Sequence, residues 1–153
     1  MPRMSTSPRA KTADALLLDQ QLCFSVYSTS LAMTQAYKPL LEEIGLTYPQ
    51  YLVMLVLWEG DGLTVKALAE RLGQDSGSVT PVVKRLEAEG FVLRKRDPRD
   101  ERNLALTLTP QGRALRERGQ KVNQAFAKAC GLSTQALADL RASLVQVRDR
   151  LQG

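Results

Sequence analysis

The 153-residue chain contains no histidine. Without an imidazole there is no Ser-His or Cys-His nucleophile, and zinc catalysis loses its commonest ligand, so no catalytic residue, metal or cofactor is expected. Cysteine occurs twice, at Cys23 and Cys130. In a reducing cytosol a static disulfide is not expected, so either both thiols are inert or at least one is redox-active. No stretch approaches the roughly 20 apolar residues of a membrane helix, so no membrane partner is expected. Residues 1–14 are polar and basic with no apolar segment, which reads as a loose tail rather than a secretory signal, and a cytoplasmic location follows. What is abundant is positive charge. The net charge is +5 and the isoelectric point about 9.5, a balance that favours an anionic partner such as nucleic acid. Hydrophobic residues at 44% and charged residues at 24% suffice for one compact domain, here 15–153.

The patterning is mainly helical, in an α+β arrangement. Leu16 to about Ile44 holds good helix formers and no glycine, with Pro39 bending or breaking the segment and Gly45 ending it. Thr47 reads as the N-cap of a second helix with Pro49 in its first turn, running to Trp58 or Glu59. After the turn Gly60-Asp61-Gly62, Thr64 caps a third helix whose Val65, Leu68, Ala69 and Leu72 form one buried face. Gly73 ends it. A fourth helix follows from about Ser76 to Glu89, buried along Val79, Val82, Val83 and Leu86. Pro81 fits it best if the cap is Ser76 or Gly77. Two strand-like runs, Phe91–Arg96 and Leu104–Leu108, flank a charged tip at residues 97–103. Thr109 caps a long helix to about Cys130, and Ser133 caps a last one to Leu151.

Two short amphipathic helices joined by a tight turn, then a basic hairpin, make a winged helix-turn-helix over about 48–109. The outward face of the second helix offers Ser76, Ser78, Thr80, Pro81, Lys84 and Arg85 to a major groove. The hairpin tip, with Arg99, Asp100 and Arg102, can reach the adjacent minor groove. In the last helix Leu137, Leu140, Leu144, Val147 and Leu151 are spaced as a coiled-coil seam, and the first helix adds Leu22, Val26, Met33, Leu40 and Ile44. Residues 15–46 and 110–152 are therefore expected to form a homodimer that spaces two reading helices on pseudo-palindromic double-stranded operator DNA.

These segments resemble the MarR family of winged-helix repressors, and within it the organic-hydroperoxide-sensing branch. The resemblance is carried by Leu22-Cys23-Phe24, Tyr27-Ser28-Thr29-Ser30-Leu31, Tyr37-Lys38-Pro39-Leu40-Leu41 and the run from Gly45 to Trp58. It continues through Asp75-Ser76-Gly77-Ser78-Val79-Thr80-Pro81, Lys84-Arg85-Leu86-Glu87, Asp100-Glu101-Arg102 and Leu108-Thr109-Pro110-Gln111-Gly112. The resemblance implies that Arg102 enters the minor groove, oriented by Asp100. It also implies that Cys23 is the peroxide sensor, that Tyr37 and Tyr48 hydrogen-bond its thiolate across the dimer, and that organic hydroperoxide is the inducer. The presence of Cys130 fits the two-cysteine version of the branch, in which an inter-subunit disulfide with Cys130 follows oxidation.

The residues themselves give this chemistry some support. Cys23, Tyr27, Ser30, Thr34 and Tyr37 are spaced 4-3-4-3 and share one helix face. Cys23 and Tyr37 lie about 21 Å apart along such a helix, so one can serve the other only between subunits. Phenol hydroxyls, including that of Tyr27, can stabilise a thiolate where histidine is absent. Cys130 also fits a packing stripe with Val122 and Phe126. Two other functions compete: a MarR-type repressor induced by a non-covalent aromatic effector, and a thiol peroxidase.

Overall fold

A computed structural model describes residues 14–97 and 99–153, the side chains of 97 and 100–103 excepted. The basic start of the chain and Pro98 thus lie outside the described residues. The structure divides at Ala36 and Tyr37 into two compact units.

The first unit opens with a 3-10 turn, Leu18–Gln20, and the greater part of α1 (Leu22–Glu42). A helix beginning at Leu16 is not formed. The Leu17 N–H closes on the Asp14 carbonyl at 3.0 Å, and the Gln21 side chain bonds back to the Ala15 carbonyl, so the chain is turned before α1 begins. Pro39 is accommodated inside α1. In this unit Leu22, Val26, Leu31 and Met33 are all exposed.

The second unit holds the rest: α2 (Tyr48–Glu59), β1 (Leu63–Thr64), α3 (Val65–Leu72), α4 (Ser76–Ala88), β2 (Val92–Asp97), β3 (Asp100–Leu108), α5 (Pro110–Ala129) and α6 (Thr134–Gln152). Gly45, at φ 73°, takes the left-handed conformation that closes α1, with Leu46 N–H reaching back to the Leu41 carbonyl. Thr47 then caps α2 in a reciprocal box. Its hydroxyl accepts from Gln50 N–H, and its own N–H donates to the Gln50 carboxamide oxygen. α2 buries Tyr51, Val53, Met54, Val56 and Leu57 and is the axis of the core. Against it pack Leu68 and Ala69 of α3, Val79, Val83 and Leu86 of α4, Leu106 and Leu108 of β3, and Leu115 and Val122 of α5. The stripes expected on α3 and α4 are the buried ones, with Val65, Leu72 and Val82 half-buried at their margins.

The sheet has three strands, not two, in the order β1-β3-β2, all antiparallel. β1 contains two residues, Leu63 opposite Leu106 and Thr64 opposite Ala105, too few for any alternation to register in the sequence. The hairpin is also tighter than the charged tip suggested. β2 runs to Asp97 and β3 starts at Asp100, with a register shift between Arg96 and Asp97. Asp61 anchors the far end of β3, accepting from Leu108 N–H at 2.8 Å and from Arg113 at 2.9 Å. On α5, Gly112 is buried against the Phe91 backbone and Leu108, Gly119 against the Trp58 ring of α2, and Trp58 Nε1–H donates to the Gly112 carbonyl at 2.9 Å. α6 buries none of its residues. Among the described residues no helix is long and apolar enough to cross a membrane.

Candidate functional site

Two regions bring the candidate residues together. The first is α3–turn–α4 with its hairpin. α3 is capped by the Thr64 hydroxyl, which accepts from Ala67 N–H at 3.1 Å, and it ends at Gly73. The cap of α4 is Asp75 rather than Ser76 or Gly77: its carboxylate accepts from Ser78 N–H at 2.9 Å. A carboxylate at a helix N-terminus also meets the favourable end of the helix dipole, an advantage Ser76 and Gly77 lack. Pro81 therefore lies inside α4. Near it the first turn tightens, Ser78 N–H also reaching the Asp75 carbonyl at 3.2 Å.

Ser76, Ser78, Pro81, Lys84 and Arg85 are exposed on α4. Thr80 is half-buried and its hydroxyl donates to the Ser76 carbonyl at 2.7 Å, while the Ser78 hydroxyl faces Asp75 at 3.3 Å. Two hydroxyls expected to face outward are thus turned onto the helix's own first turn, which leaves Ser76 and the two cations as its exposed donors. The hairpin is fastened to α4 by a two-pronged pair. Arg94 Nε donates to Glu87 at 2.8 Å and Nη2 at 3.4 Å, and the hydrogen bond holds the Glu87 carboxyl below its usual range. Arg99 is exposed at the turn. The backbone of Asp100 and Arg102 belongs to β3, while their side chains lie outside the described residues.

The second region is an aromatic group in the larger unit. Tyr37 stacks on Phe126, ring centroids 3.9 Å apart and 13° from parallel, and meets Tyr48 at 5.2 Å and Tyr51 at 5.6 Å. Burial raises the Tyr37 phenol well above its ordinary value of 10.0, assisted by Tyr51, Tyr48 and Cys130. Burial also raises Tyr48 and Tyr51. All three phenols keep their protons at neutral pH and remain hydrogen-bond donors. Cys130 is half-buried at the C-terminus of α5, its N–H on the Phe126 carbonyl. Cys23 and Tyr27 are exposed in the smaller unit.

Sequence reasoning missed Tyr51 and Gln50. Tyr51 is a core residue as well, at 1% exposure. Gln50 had a signal, since Thr47-Tyr48-Pro49-Gln50 is the spacing of a capping box.

Residues 46–104 match the model of the MarR family. The chain is 44% identical over 128 residues to the organic hydroperoxide resistance transcriptional regulator of Bacillus subtilis strain 168, covering 84% of this chain and 85% of that one. It is similar to the structure of reduced AbfR bound to DNA, a Staphylococcus epidermidis protein, with TM-score 0.73 and 36% identity over 89% of this chain and 95% of that one. It also matches disulfide-formed AbfR, with TM-score 0.62 and 36% identity over 88% and 90% of the two chains.

Proposed function

Because this chain belongs to the MarR family of DNA-binding transcriptional regulators, we propose that it is a repressor released from its operator when an organic hydroperoxide oxidises Cys23. It regulates transcription and is not an enzyme. In this reading two copies pair through α1, α5 and α6, whose exposed Leu22, Val26, Leu140, Leu144 and Val147 need an apolar cover. α4 enters the major groove with Lys84 and Arg85. The wing brings Arg99 to the backbone and Arg102, oriented by Asp100, to the minor groove. The protein acts in the cytoplasm, where a reduced thiol is the resting state.

The redox step balances without a cofactor. The Cys23 thiolate attacks one peroxide oxygen, the O–O bond breaks, and the alkoxide leaves and takes a proton as an alcohol. Cys23 is then a sulfenic acid, oxidised by two electrons. Cys130 of the partner subunit attacks that sulfur, an S–S bond forms, and hydroxide leaves as water after taking the Cys130 proton. A disulfide needs Cα atoms within about 7 Å, so its formation pulls two helices together and spoils the spacing of the two α4 helices.

The observation that carries this reading is the Tyr37–Tyr48 pair, ring centroids 5.2 Å apart and partly buried, in a chain without histidine. Neutral phenols are the donors a thiolate needs in a chain without histidine. The hydroperoxide connection of the Bacillus subtilis relative supports the inducer, and the reduced DNA-bound and disulfide forms of AbfR support the paired states. The test is operator binding and a non-reducing gel after stoichiometric organic hydroperoxide, with Cys23→Ser and Cys130→Ser alongside. Wild type should lose DNA, form a covalent dimer and recover with reductant, and neither variant should form that dimer. Release of Cys23→Ser by hydroperoxide would sink the sensor assignment. Release of Cys130→Ser would refute only the resolving step.

A further inference from the structure

Among the described residues Gln50 is the buried polar side chain, 2% exposed amid the apolar residues of the core. Burying a carboxamide costs free energy unless both of its ends are bonded. Both are: the oxygen accepts from Thr47 N–H at 2.8 Å, and Nε2 donates to Glu89 Oε2 at 3.2 Å. The capping box alone would accept glutamate equally well. Only glutamine can cap α2 and also donate to a carboxylate.

The two ends of this link lie in different functional regions. Gln50 sits between Tyr48 and Tyr51, both in ring contact with Tyr37. Glu89 is the C-cap of α4, its N–H on the Arg85 and Glu87 carbonyls. The next residue, Gly90, turns the chain into the wing at φ 84° and accepts the Thr109 hydroxyl at 2.6 Å. Arg94 ties the wing back to Glu87, so α4 and the wing root are held as one piece. Apolar packing between α2 and α4 tolerates small sliding because it is non-directional, whereas a hydrogen bond fixes register. We propose that the Gln50–Glu89 hydrogen bond couples the Tyr37–Tyr48–Tyr51 cluster to α4 and the wing, making Gln50 a positioning residue for operator binding. The inference rests on the DNA-reading role given to α4 above, but not on the redox chemistry.

The experiment measures operator affinity of the reduced, full-length protein by fluorescence anisotropy, on a duplex selected from a random pool for tight binding to wild type. Gln50→Glu keeps the acceptor that caps α2 and sets two carboxylates against each other. Glu89→Gln keeps an acceptor for Gln50. The double variant exchanges donor and acceptor and remakes the bond. We expect Gln50→Glu to weaken binding at least about fivefold, with Glu89→Gln and the double variant within about twofold of wild type. Phe126→Ala, which removes the ring under Tyr37, should weaken binding in the wild-type background and have no further effect in Gln50→Glu. The proposal is overturned if Gln50→Glu binds normally, if the double variant stays as weak as Gln50→Glu, if Phe126→Ala leaves affinity unchanged, or if its effect multiplies undiminished with that of Gln50→Glu. Peroxide takes no part in these measurements, so a failed redox reading, seen as wild type unmoved by hydroperoxide, is recognised separately.

Discussion

A side chain at Gly112 would place its Cβ 2.1 Å from the Phe91 carbonyl oxygen, a backbone atom that cannot swing aside. Gly112→Ala should therefore destabilise the fold by about 3 kcal/mol or more, read by urea or thermal unfolding. Tyr37 makes a different demand. Its phenol is raised in the folded protein above the ordinary value of 10.0, chiefly by burial. The folded state then holds a proton that the unfolded state gives up. The stabilisation is complete below the unfolded value and is lost as pH rises from there through the folded one. Tyr37→Phe should accordingly flatten the alkaline limb of the stability curve while leaving its neutral region in place. At this scale the sequence was readable where one residue type has one use. Thr47, Thr64, Thr109 and Ser133 cap the helices expected of them. Tyr51 and Gln50 were not readable as site residues, because both lie on a helix buried on nearly every side, where periodicity separates nothing.

In the proposed reading the element that decides DNA binding is α4, whose exposed cations are Lys84 and Arg85. If either neutralises a phosphate, its replacement by alanine should weaken binding to all sequences and reduce the salt slope by about one unit. If either reads a base edge, discrimination at one position should relax instead, by roughly 1–3 kcal/mol. Salt titrations on cognate and mismatched duplexes separate the two, and no change in either variant would remove this face from the DNA. The Asp75 cap offers an independent check. Asp75→Ala should cost about 1 kcal/mol of stability, and Asp75→Asn should recover most of it. Helix boundaries set by glycine were legible, as at Gly45 and Gly73. The start of α4 at Ser76 was legible too, but its cap was not: serine, glycine and aspartate all cap helices, and the structure gives Asp75 the role. β1 was hidden for another reason, since its two residues become a strand only by pairing with β3.

For the whole molecule the central expectation is assembly. Leu140, Leu144 and Val147 are exposed on α6, which buries nothing within its own chain. Leu144→Arg should shift the protein to monomer in sedimentation equilibrium and abolish tight operator binding with it, because one α4 alone engages only a half-site. A variant that stays dimeric would move the interface elsewhere. The seam between α2 and α5 bears on how such an assembly could move. Gly112 and Gly119 lie two turns apart on one line of α5: the Gly112 carbonyl accepts the Trp58 Nε1–H, and the Trp58 ring fills the space where a Gly119 side chain would be. A Cβ at Gly119 would stand 2.8 Å from that ring. Turning α5 about its own axis by a single residue, about 100°, would drive a side chain into the indole. α5 is in effect a keyed shaft, with the Trp58 ring as the key that bars it from turning about its own axis. In the proposed redox reading, a pull at its Cys130 end, roughly 30 Å from its start, would be passed toward the root of the wing as the swing of a lever rather than as a twist.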